Sequence, residues 1–420
     1  MNKEKLIPEL RFPEFQNEGE WDLKEFSNFI KLDRGSSPRP IQEYLTQDVS
    51  GVNWIKIGDT KNAVNSVIYQ VEEKITSKGA EKSRRVEIGE LILANSMSFG
   101  KTYELAIEGC IYDGWFVLRK YDKYFVKLFL LQLLNSDFMQ NQYKRLSAGG
   151  IVQNISSDIV YNSKLFHTSL FEQQKIASCL SSLDEVIATH SQKLDLLKDH
   201  KKALMQNLFP QDGENVPKYR FKEFEKDGEW QEKKLGDMSE IGRGKSKHRP
   251  RDESSLFGGI YPFIQTGDIR KANLYLTNYT QTYSEKGLKQ SKLWDENTLC
   301  ITIAANIAET AILKIKACFP DSVIGIIPKK GITDVLFINY LIENFKQQIQ
   351  SFSQGMAQDN LNQEKLSNLI FLFPLIQEQQ KIASCLSSLD ALISAQAEKI
   401  EQLKLHKKGL MQGLFPKIEI

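Results

Sequence analysis

Apolar residues recur along two stretches of the chain at alternating steps of four and three. In the first stretch they are Ile176, Leu180, Leu183, Ile187, Leu194, Leu197, Leu204 and Leu208, with His190 and Lys201 breaking the series. In the second they are Ile382, Leu386, Leu389, Ile393, Ile400, Leu403, Leu410 and Leu414, broken by Gln396 and Lys407. A stripe this narrow is the seam of a coiled coil, so each stretch is predicted to be a long helix that needs a partner. Ser169-Leu170-Phe171-Glu172 has the form of a capping box, and Pro374 stands where a helix start tolerates proline. Pro210 and Pro416 end the two runs. A helix of roughly 36 residues spans about 54 Å at 1.5 Å per residue. Antiparallel pairing of the two would cover both stripes and place a globular domain at either end. His190, Gln396, Lys201 and Lys407 would then fix the register through polar contacts in otherwise apolar layers.

The two helices are also copies. Glu172 to Asp184 and Glu378 to Asp390 share the same thirteen letters, and the match continues to Pro210 and Pro416 with 26 identities in 39 positions. A weaker repeat opens each half: Arg11-Phe12-Pro13-Glu14-Phe15 before Gly19-Glu20-Trp21, and Arg220-Phe221-Lys222-Glu223-Phe224 before Gly228-Glu229-Trp230. Between these ends only scattered echoes remain: Gly58-Asp59 with Gly267-Asp268, Arg39-Pro40 with Arg249-Pro250, and Gly149…Asn154 with Gly355…Asn360. A repeat is the strongest architectural signal a sequence carries. Matched connectors around unmatched middles imply one geometry serving two recognition tasks.

Residues 24–165 and 235–371 read as mixed α/β. Strand-like runs include Val52–Ile57, Leu91–Ala94 and Leu299–Ile303, and helical ones lie near Val126–Asn135 and Val335–Ser351. The fold class expected is α+β: two mixed globular domains separated by two long antiparallel helices in a coiled coil, with an internal pseudo-two-fold repeat. The expected boundaries are 1–165, a first helix at 166–210, a second domain at 211–372 and a second helix at 373–420.

Composition changes this picture little. Hydrophobic residues make up 41% and charged residues 26%, ordinary for a globular chain, and the net charge is only +2. An anionic partner would therefore have to be met by local patches. Cys110, Cys179, Cys300, Cys318 and Cys385 form no metal-ligand spacing, and Cys179 and Cys385, at equivalent positions of the two helices, read as small buried hydrophobes. No apolar run is long enough for a membrane span and no signal peptide opens the chain, so a cytoplasmic protein is expected. There is no phosphate loop, dinucleotide loop, HExxH or nucleophile elbow. Nor is there an Asn-Pro-Pro or Asp-Pro-Pro run followed by an aromatic, and five histidines leave little general-base material. Catalysis by this chain is not expected.

Basic glycine-containing loops stand at equivalent places in both halves, with the candidates Arg34, Ser36, Ser37 and Arg39 in the first and Arg243, Lys245, Lys247 and Arg249 in the second. Arginine, lysine and serine on such loops suit phosphate contacts and guanine reading. Lys61 and Arg270 follow the Gly-Asp pairs. Ser96, Ser98 and Lys101 in the first half correspond to Asn306 in the second. Gln153 and Asn154 correspond to Gln358 and Asn360, whose amides can pair with adenine. One departure stands out: the second half carries Ala305-Asn306-Ile307-Ala308 where a Gly-containing turn like that around Gly100 is expected.

The two Glu-Gln-Gln-Lys-Ile-Ala helices ending in Leu-Met-Gln-x-Leu-Phe-Pro, the Gly-Asp pairs and the Arg-Phe-x-Glu-Phe…Gly-Glu-Trp openings resemble the specificity subunits of type I restriction–modification systems. The resemblance covers essentially the whole chain. It implies a non-catalytic DNA-binding subunit whose two target-recognition domains read a bipartite double-stranded sequence, the helices fixing the gap. It also implies two methyltransferase subunits carrying S-adenosylmethionine for adenine N6, and two restriction subunits using ATP and Mg²⁺. The alternative is a coiled-coil scaffold without DNA readout.

Overall fold

The computed structural model describes residues 5–96, 100–147, 154–304, 306–352 and 361–418. The chain divides into two compact units, one of residues 1–191 with 399–420, the other of 192–398. Each boundary falls inside a continuous helix, Leu170–Leu208 and Ile376–Leu414, so each unit takes part of both. Both helices are 39 residues long, slightly more than the periodicity predicts.

In the first unit, one five-stranded sheet has the order Lys31–Arg34, Trp115–Arg119, Leu91–Ala94, Thr102–Leu105 and Val67–Ile68. Its central strand explains an uninterrupted apolar run. Leu91 and Leu93 face a core shared with the helices, while Ile92 and Ala94 face a core with Ile55, Ile111 and Val117. Alternate side chains point to opposite faces, and here both faces are buried. A second five-stranded sheet follows the order Leu45–Thr46, Glu73–Ile75, Val52–Ile55, Gly109–Ile111 and Arg84–Val86.

The second unit repeats this plan. Ser239–Arg243, Val323–Pro328, Leu299–Thr302, Thr310–Leu313 and Tyr275–Leu276 form one sheet; Gln281–Tyr283, Phe257–Phe263, Ala317–Cys318 and Leu293–Trp294 form the other. Leu299 and Ile301 again face the helical core and Cys300 the opposite one. The helix predicted near Val335–Ser351 is broken in two, Val335–Asn344 and Lys346–Phe352. The run predicted as a strand over Val52–Ile57 ends at Ile55, and a 3-10 turn takes over from Ile57.

Within each unit a segment of one helix packs beside an oppositely placed segment of the other. In the first, Ile176, Ala177 and Leu180 share a core with Leu414 and Phe415. In the second, Ile382, Ala383 and Leu386 share one with Met205, Leu208 and Phe209. Among the seam residues, Leu389 and Ile400 are also buried, and Leu183, Ile187, Leu194, Leu197, Ile393 and Leu403 are half-buried. The lysines that interrupt the stripes do set register. Lys407 donates to both oxygens of Asp184 at 2.6 and 2.7 Å, and Lys201 meets Asp390 at 2.9 Å. Each lysine thus pairs with the aspartate that closes the identical stretch of the other helix.

The repeated openings close onto the helix starts. Arg11 donates to Glu172 at 2.7 and 2.9 Å, and the Trp21 indole donates to the same carboxylate at 3.0 Å. Arg220 and Trp230 reproduce this on Glu378 at 2.9, 2.7 and 3.4 Å. The expected capping box is therefore only half present. Ser169 accepts from the Glu172 amide, but the Glu172 carboxylate is committed to Arg11 and Trp21. The next residue, Gln173 or Gln379, bonds backbone groups before and within its domain: Gln173 accepts from the Val126 amide, Gln379 from that of Asp334. All five cysteines are free, with Cys179 and Cys385 half-buried rather than buried.

Candidate nucleic-acid interface

The basic loops leave the first strand of each main sheet and are pinned by the same backbone contacts. Gly35 donates to Trp115 and Ser36 to Ile111; Gly244 donates to Val323 and Lys245 to Phe319. The glycines are required by space. A Cβ on Gly35 would lie 1.9 Å from the Tyr112 carbonyl oxygen, and one on Gly244 would lie 2.2 Å from that of Pro320. Backbone this close to backbone admits no side chain.

An acidic residue in the facing turn anchors each loop. The Ser37 hydroxyl donates to Asp113 at 2.6 Å and holds its carboxyl below the usual carboxylate range. Arg34 donates to the Asp113 carbonyl at 3.3 Å, and Arg39 stands 3.8 Å from the carboxylate with its side chain 82% exposed. In the second loop Arg243 donates to the Asp321 carbonyl, and Arg251 pairs with the Asp321 carboxylate at 2.8 Å. Lys286, Ser255 and His248 donate to Glu253 at the far end of that loop and pull its carboxyl to about 2.

The candidates do not all present themselves alike. Arg39, Lys101, Asn154, Lys245, Lys247, Arg270 and Asn306 are exposed. Arg34 and Arg243 are exposed but tied through Nε to a carbonyl, and Arg249 turns back onto the carbonyls of Ser246 and His248. Ser36 and Ser37 are half-buried and spend their hydroxyls inside the fold, Ser36 on the Lys82 carbonyl. Lys61 is paired with Glu72 on the surface, and Ser96 is half-buried at the end of a strand. Ser98, Gln153, Gln358 and Asn360 lie outside the described residues.

The aspartates of the Gly-Asp pairs have a structural task. Asp59 is buried and accepts from the Lys56 and Glu72 amides at 2.7 and 3.2 Å. Asp268 accepts from the Gln265 amide at 2.9 Å and the Thr280 hydroxyl at 3.1 Å. The missing glycine of the second half is resolved too. Gly100 has φ +73° and donates to Ala94; Ala308 has φ +65° and donates to Thr302. Alanine at 308 holds the left-handed conformation that glycine holds at 100 in the first half. Sequence reasoning missed Asp113, Asp321 and Arg251, whose partners are distant in sequence.

Among the described residues there is no cluster of metal-ligating side chains, and no helix is long and apolar enough to cross a membrane. The type I restriction modification DNA specificity domain matches residues 18–199 and again 227–405. A putative type I restriction enzyme specificity subunit of Methanocaldococcus jannaschii is 24% identical, over 94% of this chain and 93% of that one. A second from the same archaeon is 25% identical over 97% of this chain and 93% of its own length. In fold, the chain is similar to the S subunit of a type I system from M. genitalium. That likeness has a TM-score of 0.60 and 14% identity, and covers 99% of this chain and all of the other. A chain from a structure addressing complex assembly and conformational transition of a type I restriction–modification system has a TM-score of 0.59, at 19% identity over 94% and 97% of the two chains. With both halves matched over most of the length, this chain belongs to the type I restriction–modification DNA specificity family.

Proposed function

We propose that each globular region reads one half of a split duplex DNA target and that the two long helices set the gap between the halves. The family supplies specificity and not catalysis, so methyl transfer and cleavage fall to partners. Two methyltransferase subunits with S-adenosylmethionine would modify adenine N6, and two restriction subunits with ATP and Mg²⁺ would complete the nuclease. One observation carries this reading. Both regions keep the same main-sheet order and the same Arg–Glu–Trp anchor, while the sequences between the repeated ends share only scattered echoes. A frame held constant around divergent domain sequences is what two different sequence readings on one geometry require. Each 39-residue helix is about 58 Å long at 1.5 Å per residue. That length accommodates half-sites about 34 Å apart per helical turn of DNA.

The test is to co-express the chain with its methyltransferase partner in a methylation-free host and map N6-methyladenine. A two-part motif with a constant gap that depends on this chain is expected. One heptad added within 193–200 should change the gap and leave both half-sites intact. A continuous motif, or a change in both half-sites on that insertion, overturns the reading. Exposed Arg39, Lys101, Lys245, Lys247 and Arg270 predict steep salt dependence. Removing one phosphate-contacting lysine should lower the log–log slope by about 0.9.

A further inference from the structure

Beside each basic loop lies a cleft, about 830 Å³ in the first unit and about 580 Å³ in the second. The two correspond strand for strand. Trp54 lines the first and Phe263 the second, each followed by a fully buried isoleucine, Ile55 or Ile264. Two residues after the aromatic comes the residue that caps a short helix, Lys56 or Gln265. Across the ladder Trp54 faces Glu73, and Phe263 faces Gln281. All four of these polar residues line the clefts, and Arg39 or Arg251 completes each lining.

At this one place the frame is the same and the chemistry differs. Lys56 and Glu73 form an ion pair, each with more than a third of its side chain exposed. Gln265 donates to Gln281 at 2.6 Å. Neither pair is needed to fill a core, and an ion pair this exposed adds little to stability. A second observation points outward from the same spot. Gly58 and Gly267 follow the capping residues by two positions and are exposed. Neither has a positive φ, and a Cβ on either would meet nothing within 4 Å. The fold has no need of glycine there, whereas close approach of an outside molecule does.

We infer that positions 56 with 73, and 265 with 281, are specificity determinants that meet a base edge in each half-site. This rests on the two-half-site reading above. Lysine only donates and carboxylate only accepts, which suits guanine O6 and N7 together with cytosine N4. An amide does both, which suits adenine N6 and N7. The first half-site therefore carries a G·C pair, and the second an A·T pair, where this cleft meets DNA.

The experiment exchanges the pairs in the full chain, co-expressed with its methyltransferase partner, and maps N6-methyladenine. Lys56→Gln with Glu73→Gln should change the preference at one base pair of the first half-site, from G·C towards A·T. The gap and the second half-site should stay as they are. Gln265→Lys with Gln281→Glu should do the reverse in the second half. Unchanged motifs from both exchanges overturn the inference. If the unaltered chain yields no two-part motif, the reading beneath the inference fails first and takes it down too.

Should an exchange abolish methylation, the purified complex is titrated with duplexes altered at single base pairs. Loss of discrimination confined to one pair, about five- to hundredfold, supports base reading. Equal weakening on every duplex overturns it, because that is the signature of a backbone contact. If the double variant melts early, Glu73→Gln alone, which nearly keeps the volume, gives the same two outcomes.

Discussion

Two aromatic triads with nearly the same geometry are assembled from very different chain neighbourhoods. In the second unit Phe209 stands 6.1 Å from Trp230 and 5.6 Å from Phe337, with Trp230 and Phe337 5.9 Å apart. In the first, Phe415 stands 6.1 Å from Trp21 and 5.6 Å from Phe129, with Trp21 and Phe129 6.0 Å apart. The backbone repeats the match, since Tyr219 donates to Asn207 at 2.9 Å and Leu10 to Gly413 at 2.8 Å. Yet Phe209 and Trp230 are 21 positions apart, and Trp21 and Phe415 are 394 apart. Closing the longer loop directly costs roughly 2–3 kcal/mol more by the logarithmic law. The geometry is the same regardless, so packing and the buried Arg–Glu–Trp anchor decide this joint, and chain proximity does not.

That equivalence can be broken most sharply at the anchor. Glu172→Ala leaves the Arg11 guanidinium buried and unpaired, the side chains being 5% and 1% exposed, and should cost about 3–5 kcal/mol in denaturant unfolding. Glu378→Ala should cost the same, and a difference of more than about 1 kcal/mol would show that the two joints are not energetically equal. Next come the paired turns. Gly100→Ala puts a Cβ 2.4 Å from the Tyr143 ring and should destabilise by about 1–3 kcal/mol. Ala308→Gly relieves a left-handed alanine and should raise the melting temperature, by roughly 1 kcal/mol in stability. Doubling the link between Phe209 and Trp230 with flexible residues should cost only about 0.6 kcal/mol. A much larger loss on that insertion would mean that the short connection itself holds the second joint.

The smallest effect is one of pH. Burial lowers the Lys201 pKa, but Glu343 and Asp390 outweigh it, leaving the ammonium above its ordinary value in the folded chain. The stability it brings is whole below the unfolded lysine value of about 10.4 and fades as pH rises through the folded one. Lys201→Met should flatten the alkaline fall of the unfolding midpoint, and an unaltered fall would assign it to other groups.

Much of this plan was legible in the sequence because repetition and periodicity need no knowledge of distant partners. The seam residues, the lysines that set register and the paired glycine loops were all found that way. Glu172 was harder. Its spacing from Ser169 suggested a backbone cap, and only folding brings Arg11 to it across 161 positions. A signal existed, since Arg, Trp and Glu repeat together in both halves. The candidate site was less legible, because exposure depends on what each side chain finds nearby. Lys61 finds Glu72 and Arg249 finds its own loop, whereas Lys245 and Lys247 lie exposed. The correspondence of Lys56 with Gln265 is not legible in the sequence, because it appears only when the strands are laid side by side.

The long helices are divided between units, and this has a consequence for synthesis. Residues 192–398 can complete their core once they have emerged from the ribosome, because every aromatic of that triad is already made. The unit begun first must wait for Leu414 and Phe415 to cover Trp21 and Phe129. Domains usually fold in the order in which they are made. Here the order is inverted: the part translated earliest is the last to close, and until then it carries an open apolar face.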